Sequence, residues 1–170
     1  MTALTRFLTA LWAVFLVFAA AGPAAAQGAD VSLGIADFDN SQPVEITSES
    51  LSVNQQAGNA TFEGNVIVGQ GEMVLTCDRM VVEYGADEGG RNDIRVIWLY
   101  GGVTFVGPSE AAEADSATYT LADETIVLTG NVLVTQGATA ISSDRLIYNL
   151  QSGSGRMEGR VKTILNPGSN

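Results

Sequence analysis

The sequence predicts an all-β protein, with a dozen or more short antiparallel strands forming two sheets that face each other across a repeated apolar stripe. Three observations predict it. Residues 47–84 lie over 113–150 at a constant offset of 66 without a gap, so that FEGNVIVGQGEMVLTCDRMVVEY stands above LTGNVLVTQGATAISSDRLIYNL. A shorter repeat, apolar-x-Gly-x-Val, runs beneath it at 62–66, 99–103, 128–132 and 157–161. From Gln27 onward Val and Ile number 24 against 10 Leu, a composition that suits a pleated surface better than a helix.

The first element is a leader. Arg6 is its only charge, and the 16 residues 7–22 are apolar apart from Thr9. That run falls short of the ~20 residues a membrane-spanning helix needs. Pro23 ends it, and Ala24-Ala25-Ala26 supplies the small residues of a cleavage site. The pattern predicts a secretory signal cut between Ala26 and Gln27 and a mature chain in the periplasm. The rival reading is an uncleaved membrane anchor. Residues 27–41 then read as a flexible segment, 42–167 as one domain and 168–170 as a tail.

Within the domain, Leu51-Ser52-Val53 and Ala60-Thr61-Phe62 alternate with the period of a strand. Beyond Gly64, Val66 and Val68 resume the apolar face. The Gly-Asn or Gly-Gly at the centre of a unit allows positive φ or a bulge, so the strand can bend there. Glycine-rich stretches at 69–71, 85–90, 107–108 and 153–155 mark turns between strands. No amphipathic helix extends beyond about two turns.

Stacking the short repeats places Phe62, Leu99, Leu128 and Met157 in one column and Val66, Val103, Val132 and Val161 in a second. A third holds Val68, Phe105, Val134 and Thr163. Such columns are the ordinary core of a two-sheet solenoid if the sheets close. If the sheets stay apart, the same columns line a trough for acyl chains, whose burial contributes roughly 0.8 kcal/mol per CH₂. Periodicity alone allows both. An unclosed sheet also exposes its first and last strands, here Val44, Glu45, Ile46 and Thr47 at one end and Val161, Lys162, Thr163, Ile164 and Leu165 at the other. Neither end carries the lysine cluster that usually blunts an edge, so both suit strand pairing with a partner.

Composition excludes much chemistry. The chain has no His, one Cys and one Lys among 170 residues. Ser-His-Asp and Cys-His catalysis are therefore absent, as are His- or Cys-rich metal sites and an internal disulfide. The net charge is −11, becoming −12 once Arg6 leaves with the leader, which argues against nucleic acid. No phosphate-binding loop is present. We therefore expect no enzyme, no cofactor and no metal. Asp87 and Glu88, in the loop 85–90, fall short of the ~6–8 oxygens that calcium takes. Asp78-Arg79 and Asp144-Arg145 are the most enzyme-like pair, but they occupy equivalent repeat positions and read as structural turns or ion pairs. Cys77 aligns with Ser143, so that position requires a small side chain. Trp98 and Tyr100 alternate with Leu99 and belong to the opposite face.

The run Gln42-Pro43-Val44-Glu45-Ile46-Thr47-Ser48 resembles the opening motif of the LptA/OstA family of periplasmic lipopolysaccharide-transport proteins. Leu-Thr-Gly-Asn-Val at 128–132, Gln136-Gly137, Asp-Arg-Leu-Ile-Tyr at 144–148 and the closing run 161–167 continue the likeness, which covers about 42–167. The resemblance implies an antiparallel β-jellyroll, or β-taco, open along one side. It implies a carrier of lipopolysaccharide that holds the lipid A chains in the trough and leaves the sugars in solvent. The implied partners are an LptC-like inner-membrane protein, an LptD-like outer-membrane protein and further copies in head-to-tail association. Carried over by motif, the lipid-facing positions are Val44, Ile46, Phe105, Tyr119 and Leu121, which join the three columns. Rival readings are a membrane-anchored relative of the LptC type and a closed β-solenoid that binds glycans at a surface.

Overall fold

A computed structural model of the chain describes residues 29–31, 42–86 and 92–165. The leader with its Ala26/Gln27 junction, the loop residues Asp87 and Glu88, and the tail lie outside the described residues. Within them are eleven strands: β1 (Ala29–Val31), β2 (Glu45–Thr47), β3 (Ser50–Asn54), β4 (Asn59–Gln70), β5 (Met73–Ala86), β6 (Asn92–Val106), β7 (Glu110–Thr120), β8 (Thr125–Gln136), β9 (Thr139–Asn149), β10 (Ser154–Glu158) and β11 (Lys162–Leu165). The strands are fewer and longer than the sequence predicts. Each repeat glycine bends a strand without ending it, so β4 to β9 run 11 to 15 residues each.

All pairings are antiparallel, in the order β1-β10-β9-β8-β7-β6-β5-β4-β2, with β3 also on β4 and β11 also on β9. Register shifts at Glu63/Val66, Thr76/Arg79, Tyr100/Val103, Glu113/Ser116 and Thr129/Val132 divide every long strand. The single sheet is thereby bent into two halves. Sheet I holds β3, β10 and β1 with the halves 59–63, 79–86, 92–100, 116–120, 125–129 and 145–149. Sheet II holds β2 and β11 with the remaining halves. The spine between them explains the short repeat. At each copy two successive residues take left-handed backbone: Gly64/Asn65, Gly101/Gly102, Gly130/Asn131 and Gly159/Arg160, with φ of 35 to 81°. Two such residues in a row turn the chain from one sheet into the other. Glycine is required at the first of them, because φ near 80° lies beyond what an L side chain tolerates readily.

Each bend is also covered by an acid from the neighbouring strand or connection: Glu49 on Gly64, Asp78 on Gly101, Asp115 on Gly130 and Asp144 on Gly159. A Cβ on any of these glycines would collide with the covering carboxylate side chain. The acids are spaced by the long repeat, Glu49 with Asp115 and Asp78 with Asp144. Three of the four receive a side chain from the residue after the glycine. Asn65 donates to Glu49 (2.5 Å), Asn131 to Asp115 (3.0 Å), and Arg160 to Asp144 (2.6 Å). At the fourth, Gly102 provides none.

Ala29–Val31 forms a strand within the segment read from the sequence as flexible. It adds to β10 with Ala29 opposite Met157 and Val31 opposite Gly155.

Candidate functional site

The strand register converts the predicted columns into continuous rows. Across sheet I one inner row runs Leu51, Phe62, Met80, Leu99, Ala117, Leu128, Leu146, Met157. Beside it runs a second, Val53, Ala60, Val82, Ile97, Tyr119, Ile126, Tyr148, Gly155. Sheet II contributes Ile46, Val68, Leu75, Phe105, Ala112, Val134, Ile141, Thr163. Next to the spine lie Val66, Cys77, Val103, Ala114, Val132 and Ser143, all buried.

Between the rows lies a groove of about 490 Å³, inside the ~300–1,000 Å³ range of sites for small organic ligands. Its walls are apolar: Leu75, Met80, Ile97, Leu99, Phe105, Ile126, Leu128, Leu146 and Tyr148. Gln70, before the β4–β5 turn, and Glu124, in the β7–β8 turn, bring polar groups to the rims, and Thr118, Tyr119 and Tyr148 add hydroxyls from the strands. The Tyr119 hydroxyl is pushed above its usual pKa, first by burial and then by the charge of Glu124. It is therefore a neutral donor at physiological pH.

The width of the groove comes from β7. Where the rows carry Leu99 and Phe105 on β6 and Leu128 and Val134 on β8, β7 carries Ala117 in one and Ala112 in the other. Both alanines line the groove. Large side chains on β6 and β8 thus form walls around a floor of methyl groups.

Of the positions the sequence nominates, Val68, Leu99, Val103, Phe105, Tyr119 and Leu128 line the groove. Phe62, Val66, Val132 and Val134 belong to the apolar core beside it. Leu121 is half-buried where the β7–β8 turn begins, its N–H donating to the Arg95 carbonyl at 3.0 Å. Val44 and Ile46 stand exposed at the edge, Ile46 in the sheet II row. Sequence reasoning missed Leu75, Met80, Ile97, Ala112, Ala117, Ile126 and Tyr148. Most lie on β5, β7 and β9, return strands without the glycine motif. Counting back through the hairpins would have found some: Gln70 pairs Met73, so Val68 must face Leu75.

The tempting chemistry resolves into structure. Asp78 and Asp144 lie on β5 and β9, four strand spacings or about 19 Å apart, whereas a glycosidase pair stands ~5–9.5 Å apart. Neither pairs with its adjacent arginine. Asp144 binds Arg160, which holds its carboxyl below the usual pKa, and Arg79 pairs with Glu63 at 3.2 Å beneath the Tyr100 ring. Cys77 is buried, its thiol pushed up by desolvation, and its Sγ donates to the Arg79 carbonyl. Ser143 donates to the Arg145 carbonyl in the same way (3.0 Å), so the small side chain at this repeat position satisfies the bulge. Among the described residues no cluster of acids or thiols is arranged to hold a metal, and no helix is long and apolar enough to cross a membrane.

The two ends of the stack differ in charge. β10, β11 and the bend between them carry Arg156, Arg160 and Lys162, with Arg145 on the adjacent β9, against the acids Glu158 and Asp144, the latter paired with Arg160. The opposite end carries Glu45, Glu49, Glu63 and Glu72, and no basic residue occurs between Arg6 and Arg79.

The family described as LptA/(LptD N-terminal domain) LPS transport protein matches residues 45–154, from the first residue of β2 to the first of β10. The chain belongs to this family. The lipopolysaccharide export system protein LptA of Escherichia coli K12 is 34% identical over 140 residues, covering 76% of this chain and 74% of that protein. The export protein LptH of Pseudomonas aeruginosa is 24% identical, covering 95% and 92%. The crystal structure of P. aeruginosa LptH, described as the LptA homologous periplasmic component of the lipopolysaccharide transport device, superposes with a TM-score of 0.63 at 18% identity. It covers 76% of this chain and 99% of that one, and the two share a fold. The open antiparallel jellyroll implied by the LptA/OstA resemblance is the architecture found.

Proposed function

We propose that the chain is a periplasmic bridge for lipopolysaccharide, with no chemistry of its own. The observation that carries this reading is the groove, mainly apolar along its walls and lined by strands across the stack. An acyl chain of ~12–14 carbons entering it would gain on the order of 10 kcal/mol from burial before ordering costs. Lipid A chains occupy the groove while the anionic sugars and phosphates stay in solvent. That placement suits a protein whose acidic surface repels phosphate at close range. The two open edges serve the relay. Strand pairing at β2–β3 and at β11 joins further copies head-to-tail and links an LptC-like inner-membrane protein to an LptD-like outer-membrane one. The leader places the chain in the periplasm, and the energy for transport comes from a partner ATPase.

A photoreactive amino acid at Phe105 or Tyr119 tests the groove. Both positions should cross-link to lipopolysaccharide in cells, while a probe at Trp98 on the outer face should not. Failure at both groove positions would refute the carrier reading.

A further inference from the structure

At the β2–β3 end, no strand among the described residues pairs with the outer edge of either half of the terminal rung. Every residue of β2 and β3 is exposed, with Leu51 at 55% and Val53 at 65%. The other end is not its mirror. β11 is exposed along its length, whereas β10 already carries β1 on its outer edge. A partner offering a two-part rung such as β2–β3 therefore finds only half of its seat open.

Register shows what occupies the other half. β4 and β10 run in the same direction, and β3 and β1 both lie antiparallel to them. Leu51 stands opposite Phe62 and Val53 opposite Ala60. Phe62 and Ala60 belong to the same two rows as Met157 and Gly155, the residues opposite Ala29 and Val31. Ala29-Asp30-Val31 thus sits at the row positions that Leu51-Ser52-Val53 of a second copy would take if the stack continued, with the same apolar–polar–apolar order and direction. In sheet II the second copy's Ile46 would follow Thr163 and extend that row too. The glutamates at one end face Arg145, Arg156 and Lys162 at the other, where Glu158 is the counter-charge and Asp144 pairs with Arg160.

We propose that β1 is an internal stand-in for β3 of a second copy, capping the β10 half of the docking edge until head-to-tail assembly displaces it. This rests on the head-to-tail reading above. The exchange is favourable in pairing, because five residues of β3 replace three of β1. It is held back because β1 is tethered to its own edge, at an effective concentration in the ~mM range. The cap also shields an exposed strand edge from indiscriminate pairing.

The test locks the cap. In a Cys77→Ser background, Asp30→Cys and Arg156→Cys occupy directly opposed register positions. In the dilute exported chain they should form an intramolecular disulfide. Sedimentation across a concentration series should then show self-association weakened at least about tenfold when oxidised, and restored by reductant in the same sample. Val31→Pro, which breaks the β1 pairing, should strengthen association. Ile164→Pro, which disrupts β11, should abolish it whatever β1 does. If oxidised and reduced chains associate equally while Ile164→Pro loses association, β1 is no cap and the head-to-tail reading stands. If wild type, reduced and Val31→Pro chains all remain monomeric, both fall.

Discussion

At the scale of single residues, the bulges decide which substitutions matter. Cys77 and Ser143 perform one task, donating to the carbonyl two residues ahead. Cys77→Ser should therefore leave the melting temperature within about 0.5 kcal/mol equivalent of wild type, as a surface change would. Cys77→Val strands that carbonyl and should cost about 1–3 kcal/mol in chemical denaturation. The exposed Asp144–Arg160 pair predicts a pH signature. The Asp144 carboxyl is depressed below its ordinary value of 3.8 by the hydrogen bonds from Arg160. Its contribution is thus present above 3.8 and lost as pH falls through the lower folded value. Asp144→Asn should melt earlier than wild type at pH 7, and the two curves should converge in strong acid. A gap that persists in strong acid would show that the pair does not act through ionisation.

At the scale of elements, β7 sets the capacity of the groove. Ala117→Leu or Ala112→Leu adds three carbons to the floor between Leu99 and Leu128 or between Phe105 and Val134. Both alanines line the groove yet are buried, so each variant should fold with a loss of about 1–3 kcal/mol. Binding of an acyl-chain fluorophore should fall several-fold, and Ala111→Leu, on the outer face of the same strand, should leave binding unchanged. Equal binding by all three variants would place the lipid elsewhere. The strand class, the four bends and the repeat columns were legible in the sequence because Gly-x-Val recurs at fixed spacing. The contribution of β7 was not. Its Glu-Ala-Ala-Glu-Ala-Asp-Ser-Ala run carries no Gly-x-Val copy, and small residues carry no hydrophobic periodicity strong enough to mark a face. β1 was equally hidden: three residues give no periodic signal, and its pairing with β10 spans nearly the whole chain.

At the scale of the whole molecule, charge is arranged along the long axis. Eight strand spacings of ~4.8 Å make the stack about 38 Å long, far more than the Debye length of ~8 Å in physiological salt. Repulsion between two strongly acidic bodies is therefore mostly screened, while the glutamates of one end and the arginines of the other meet within that length. Head-to-tail association should weaken as salt rises from about 0.15 to 1 M. Strengthening with salt would mean that net repulsion governs and that the end charges do not meet. The bends have a consequence for how such a gene can vary. An inserted codon within a half-strand turns its inner residues outward, because side chains alternate with period two. At a bend the two strands already differ in residue count, so the error stops there, and at a hairpin an extra residue only lengthens a turn. Lineages descending from this chain should gain and lose residues at the hairpin rims and the spine, while the two halves of each strand drift as separate units of inheritance.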